Sequence, residues 1–181
     1  MLPGEAPEVA PRLLGTLLVS NIGGATVSGR IVEVEAYGQD DPASHSFRGP
    51  TARNQVMFGP AGFLYVYLSY GIHRCANVVT GPSGSGQALL LRAVGPVEGT
   101  GTMRARRPGQ PDARLADGPG KLCQAFGIQL DHSGIDVCSA ASEVLLVDDG
   151  SEPPDADRVV VGPRVGISKA VDTPWRFRLV P

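Results

Sequence analysis

The spacing of apolar and polar positions changes along the chain, and each change predicts an element. ATVSGRIVEVEAY (25–37) is rich in β-branched residues and predicts one long strand. On a regular strand Ile31, Glu33, Glu35 and Tyr37 share one face, and Val32, Val34 and Ala36 the other. A second strand is predicted at FLYVYLSY (63–70), stopped by Gly71. Two more, CANVV (75–79) and QALLLRAV (87–94), flank a Gly/Ser turn at 81–86. EVLLVDDG (143–150) reads as a strand and turn, and RVVVGPRVGIS (158–168) and WRFRLVP (175–181) close the sheet.

Helical signals are few. Pro11 followed by RLLGTLLVSN (12–21) predicts a short helix or turn running into a strand, with Asn21–Gly24 as a hairpin turn. In GPGKLCQAFG (118–127) Pro119 suits a first helical position and Gly127 a C-terminus, and Leu122 and Phe126 would face inward. Residues 1–10 read as a flexible N-terminal arm, and 96–118 as irregular and basic. GQDDPASHSFRGPTARNQVMFGPAG (38–62) is a loop too long to be a plain connection, and its His, Arg, Asn, Met and Phe content argues against a solvated linker. The expected architecture is α/β of the α+β type: a single domain over 11–181 on a mostly antiparallel, hairpin-rich sheet.

Composition narrows the function. A chain of 181 residues is one ordinary domain, and 24 Gly with 16 Pro favour turns over long helices. It has no apolar run long enough to span a bilayer, and its N-terminus lacks the layout of a signal peptide. Cys75, Cys123 and Cys138 form neither a disulfide framework nor a zinc-type pair, so the expectation is an intracellular protein without metal or cofactor. The net charge is −2, but residues 48–121 carry nine Lys/Arg against Glu98, Asp112 and Asp117. A basic middle between acidic ends could form one positive face for a polyanion, or the charges could scatter over the surface.

The candidate chemistry is concentrated in one stretch. Tyr37, Phe47, Phe58, Phe63, Tyr65, Tyr67 and Tyr70 crowd a short region with Glu33, Glu35, His45, Arg48 and Arg53. Strand tyrosines mostly pack, but aromatic rings beside positive charge are also what binds unstacked bases. Two rings could hold an extruded base and a third could fill the gap it leaves. Glu33 and Glu35 fit either a solvated strand edge or a carboxylate at a pocket floor, where it could deprotonate water or steady a cationic sugar. His45 fits a turn hydrogen-bonder as well as a ligand contact. GPGKL, with Lys121, could hold a phosphate oxygen at a helix start.

These residues also resemble a known family. RIVEVEAY, HSFRGPTARNQVMFGPAGFLYVYLSYGIHRCANVV, LLLRAV, GPGKLCQAFGI and RVGIS are similar, in this order, to segments of the alkyladenine (3-methyladenine) DNA glycosylases. The resemblance runs from about residue 11 to the end and leaves out the first ten residues. It implies a curved antiparallel sheet with a DNA-intercalating β-hairpin that enters the minor groove. It implies Glu35 as general base with Arg92 helping to hold the water, and Tyr37, His45, Tyr67 and Asn77 around the base. It implies Tyr70 as the intercalating residue, with Arg53, Ile72 and Lys121 at the DNA backbone or bracing loops, and Tyr65 left to pack. Ala52 stands where the family often has proline, and Ile72 where it often has methionine.

The activity so implied is base excision without strand cleavage, on 3-methyladenine, 7-methylguanine, hypoxanthine and ethenoadenine in duplex DNA. The implied protein is a monomer, cytoplasmic or nucleoid-associated if bacterial. The alternatives are a non-catalytic damaged-DNA-binding module on the same sheet and a small-molecule hydrolase.

Overall fold

In the computed structural model, which describes residues 2–180, helix α1 (Ala6–Leu13) leads into β1 (Leu17–Ser20) and the long β2 (Val27–Tyr37). Then come β3 (Leu64–Ser69), β4 (His73–Thr80) and β5 (Gln87–Glu98), followed by α2 (Thr100–Arg106) and α3 (Pro119–Phe126). The short strands β6 (Val144–Val147), β7 (Val159–Gly162) and β8 (Arg176–Leu179) complete the sheet. The main order is β3-β4-β5-β2-β1-β6. Its strands pair antiparallel and curl into a half-barrel, giving a single α/β domain. β2 is the spine: one edge pairs with β5, and the other pairs first with β1 and then, at Glu33–Glu35, with β8, to which β7 is attached.

Alternation sends Leu64 and Val66, Ala76 and Val78, Leu89 and Leu91, and Val34 and Ala36 into one core. α1 and α3 cover that core with Val9, Leu13, Leu122 and Phe126. Pro119, Gly127, Leu122 and Phe126 occupy the helical positions expected of them, and Gly127 ends α3 at φ 75°.

A double irregularity in the β2–β5 ladder decides what the other face carries. Ile31 pairs with Val94, Glu33 with Ala93 and Val34 with Leu91, so Val32 is an extra residue on β2 and Arg92 one on β5. Each extra residue reverses the parity of its strand. Ile31 therefore turns into the core with Val34 and Ala36, and does not share the face of Glu33, Glu35 and Tyr37 as a regular strand would require.

The described part of the N-terminal segment also differs from expectation. Instead of an arm, residues 6–13 are helical, and Ala6, Val9, Ala10 and Leu13 are buried completely. These positions recur at i, i+3, i+4 and i+7, a helical period that Pro7 and Pro11 obscure in the sequence. The backbone N–H of Ala6 donates to Gln87 Oε1 at 2.9 Å, satisfying one open helix donor. Within 96–118, read as irregular, Thr100–Arg106 is a helix anchored by the fully buried Met103.

If α1 is part of the core, Leu13→Ala should cost about 2–5 kcal/mol in urea unfolding. A change near zero would show that this segment is a loose arm after all.

Candidate active site

The face opposite the core holds a cleft of about 530 Å³. β2 supplies Tyr37 to its wall, β3 Tyr65 and Tyr67, β4 Asn77, and β5 Arg92. The long loop adds His45 and Arg53, and the segment after β7 adds Val165. The structure thus brings together residues that are far apart in sequence.

Glu35 lies beneath this cleft, with none of its surface exposed. Its Oε2 accepts from the Tyr37 hydroxyl at 2.8 Å. Its Oε1 accepts from the Val165 backbone N–H at 2.8 Å and lies 3.2 Å from Arg92 Nη1. Arg92 is held in turn by Glu33, whose Oε1 accepts from Arg92 Nε and from Arg176 Nε, both at 2.7 Å. The two glutamates therefore divide the work: Glu33 fixes the arginine that faces Glu35. Burial alone would raise the Glu33 carboxyl, but the hydrogen bonds from Arg176 and Arg92 outweigh it and hold the pKa below its ordinary value.

The aromatic wall is layered. Tyr65 and Tyr67 stack with centroids 5.6 Å apart and planes 24° apart. The His45 ring meets Tyr67 edge-on at 4.4 Å, and its Nδ1 is 3.1 Å from the Tyr65 hydroxyl. Burial, then the Arg53 cation, lowers the His45 pKa below its ordinary 6.5, which favours the neutral ring. Burial is also the main cause that pushes the Tyr37 and Tyr67 phenols up, aided by Glu35 and Cys75 respectively, so both keep their protons. Tyr65 is buried, as a packing residue would be. Asn77 is nearly buried, and its Nδ2 donates to the Tyr65 carbonyl at 3.1 Å, which fixes the amide in the wall.

Above the cleft, the β3–β4 hairpin ends in a tight turn, closed by the Ile72 N–H donating to the Ser69 carbonyl at 3.1 Å. Both central residues have positive φ, 50° at Tyr70 and 73° at Gly71. Glycine tolerates this, whereas a tyrosine there is strained. Tyr70 is nevertheless 86 % exposed and Ile72 68 %, so the tip presents two large apolar side chains to solvent. Arg53 donates to the Leu68 carbonyl at 3.1 Å and lies 5.7 Å from the Tyr67 ring centre, bracing the loop against β3. Lys121 does not line the cleft; it pairs with Asp117 at 2.8 Å on the exposed start of α3.

Residues 2–180 match the methylpurine-DNA glycosylase (MPG) family. The chain belongs to that family. It is 50% identical over 173 residues to a protein of Nitrosospira multiformis, covering 95% of this chain and 84% of that one. It is 53% identical over 174 residues to one of Rhodopseudomonas palustris strain HaA2, covering 95% and 81%. It is 52% identical over 177 residues to one of Methanoculleus marisnigri, covering 97% and 90%. All three carry the name "Putative 3-methyladenine DNA glycosylase". The family match starts at residue 2, so it also takes in residues 2–10, which the resemblance had left out.

Several residues that line this cleft or support it from behind have no signal in the local sequence. Arg176 reaches Glu33 only through the β2–β8 pairing, and Val165 contributes only a backbone amide. Arg164 and Asp41 form a buried ion pair behind Tyr37, 123 positions apart in the chain. RVGIS at 164–168 marks the segment, but not what it touches. Among the described residues, no group of three or more His, Cys, Asp or Glu could hold a metal ion, and no helix is long and apolar enough to cross a membrane.

The lowered pKa of Glu33 has a sign that can be tested. Its stabilising effect is complete above the ordinary value of 4.5 and is lost as pH falls through the lower folded value. Glu33→Gln should be less stable than wild type at pH 7, and the difference should shrink in acid. Urea titrations at both pH values that run in parallel would show that the Arg92–Glu33–Arg176 pairing contributes nothing.

Proposed function

We propose that this member of the methylpurine-DNA glycosylase family removes damaged purines from duplex DNA by flipping the nucleotide into the cleft and hydrolysing its N-glycosidic bond with water. The observation that carries the reading is the placement of Glu35: a fully buried carboxylate held by three residues of an aromatic cleft, Tyr37, Val165 and Arg92, with the arginine 3.2 Å from its Oε1.

Tyr37 and Tyr67 stack on the two faces of the extruded base. The exposed Tyr70 fills the gap left in the helix, with Ile72 beside it, and its positive φ fits a side chain held outward for function. Stacking contributes about 1–3 kcal/mol per base, comparable to the few kcal/mol that extrusion costs. Neutral His45 contacts the base edge, and the pinned Asn77 amide crowds the purine 2-position against guanine's amino group. Arg53 and Lys121 meet the backbone or brace the loops that do.

The bond-breaking step needs one carboxylate. An ionised carboxylate offers about four acceptor sites. On Glu35 the Tyr37 hydroxyl takes one on Oε2 and the Val165 N–H one on Oε1, and the Arg92 cation lies 3.2 Å from Oε1, which leaves a second site on Oε2 clear of both the amide and the arginine. That second site orients water toward the sugar C1′ and takes its proton as the water attacks. Alkylation at N3 or N7 makes the purine cationic, which improves it both as a leaving group and as a partner for tyrosine faces. 3-Methyladenine fits this most simply; 7-methylguanine is equally cationic but carries the 2-amino group that Asn77 crowds, and hypoxanthine and ethenoadenine also require a proton on the departing base. No lysine lines the cleft among the described residues, which supports water rather than an amine as nucleophile.

Base release from methylated DNA and from duplexes with one hypoxanthine or ethenoadenine, measured under single-turnover conditions, tests this. Glu35→Gln should lose about 100-fold or more of the rate and still bind lesion DNA. Wild type that binds lesions and releases no base would make the protein a reader of damage. Equal activity on free nucleosides, insensitive to salt, would make it a small-molecule hydrolase, because DNA contacts weaken with salt.

A further inference from the structure

We propose that Arg164, anchored by Asp41, is a positioning residue that sets both Tyr37 and Glu35 for the reaction. The proposal rests on the reading of the cleft as a base pocket, and it starts from a cation in an unusual place. The Arg164 side chain is fully buried and that of Asp41 is 2 % exposed. Arg164 Nη1 and Nη2 both donate to the Asp41 carboxylate, the latter at 3.1 Å, and Nη1 also donates to the Ala36 carbonyl at 3.0 Å. The guanidinium carbon lies 4.7 Å from the Tyr37 ring centre and 5.5 Å from that of Trp175. Tyr37 borders the cleft and Arg164 does not, so the guanidinium backs the ring from the protein side.

Two short paths lead from this guanidinium to Glu35. The first runs through the Tyr37 ring to its hydroxyl, which donates to Oε2. The second runs through the next residue, because the Val165 N–H donates to Oε1. The anchor is placed to set both. Asp41 follows Tyr37 by four residues and opens the loop that carries His45, and its Oδ1 also accepts from the Ala43 N–H at 2.9 Å. One side chain thus ties together the end of β2, the His45 loop and the segment after β7.

A buried ion pair adds little net stability over apolar residues of the same volume, whereas a planar fork between two rings fixes orientation. Lysine has the charge without the plane or the fork, so Arg164→Lys separates geometry from charge.

The test uses the full chain with Arg164→Lys, and with Asp41→Asn, which keeps the anchor's shape and serves if the lysine variant fails to fold. Three quantities are read: the folded fraction, the hydrogen-exchange protection of the Val165 amide, and the single-turnover release of hypoxanthine from a duplex. The expected result is loss of Val165 protection and a fall of about 100-fold in rate per folded molecule, the size of effect that a misplaced reacting group produces. Binding to undamaged duplex should stay at the wild-type level. A lower melting temperature with wild-type rate per folded molecule would make the pair purely structural and overturn the proposal. If wild type releases no base, the functional reading fails by itself, and the Val165 amide still decides this one: unchanged protection overturns it.

Discussion

Glu35 is fully buried, and a carboxylate removed from water must be given donors by the protein. Much of the cleft can be understood as the supply of those donors. Tyr37 and Val165 give hydrogen bonds, and Arg92 gives charge and is itself oriented by Glu33. The paired extra residues at Val32 and Arg92 make this possible. They let β2 and β5 keep Ile31 and Val94 in the core on one side of the irregularity while Glu33, Glu35 and Arg92 turn toward the cleft on the other. A regular ladder would have to bury the charges or expose the apolar residues.

The rest of the cleft separates a rigid wall from a reaching tip. Tyr65, Tyr67, His45 and Asn77 are locked to one another by ring contacts and hydrogen bonds, so they form a preorganised surface. Tyr70 borders the same cleft from the hairpin tip. It stands on a turn whose backbone suits glycine at both central positions, where it is exposed and strained. On the proposed function, the wall receives the base and the tip takes its place in the helix. The same division accounts for the crowding of tyrosines into so short a part of the chain.

Much of this was legible in the sequence, because the signals were local. Pro119 and Gly127 bracket α3, Gly71 ends β3, and the Gly/Ser turn at 81–86 joins β4 to β5. VEVEAY and LYVYLSYG carried the family resemblance; Tyr37, Tyr67 and Tyr70 line one cleft, and Glu35 is hydrogen-bonded to its lining without being part of it. What was missed depends on partners distant in the chain. The face of Ile31 is decided by where β5 gains a residue, so no reading of β2 alone could find it. Helix α1 was hidden because Pro7 and Pro11 are usually helix-breaking signals, although its apolar period was present. RVGIS marked the segment that begins at Arg164, but only the fold places that arginine against Asp41 and Tyr37.

The central claim is that base capture belongs to the aromatic wall and bond cleavage to the buried carboxylate. Stopped-flow fluorescence of a duplex with one ethenoadenine, mixed with Glu35→Gln, tests it most directly. The account predicts a fluorescence change with the wild-type rate and amplitude as the base enters the cleft, followed by no release of free base. A Glu35→Gln variant that gives no fluorescence change, or that releases the base as fast as wild type, would contradict it.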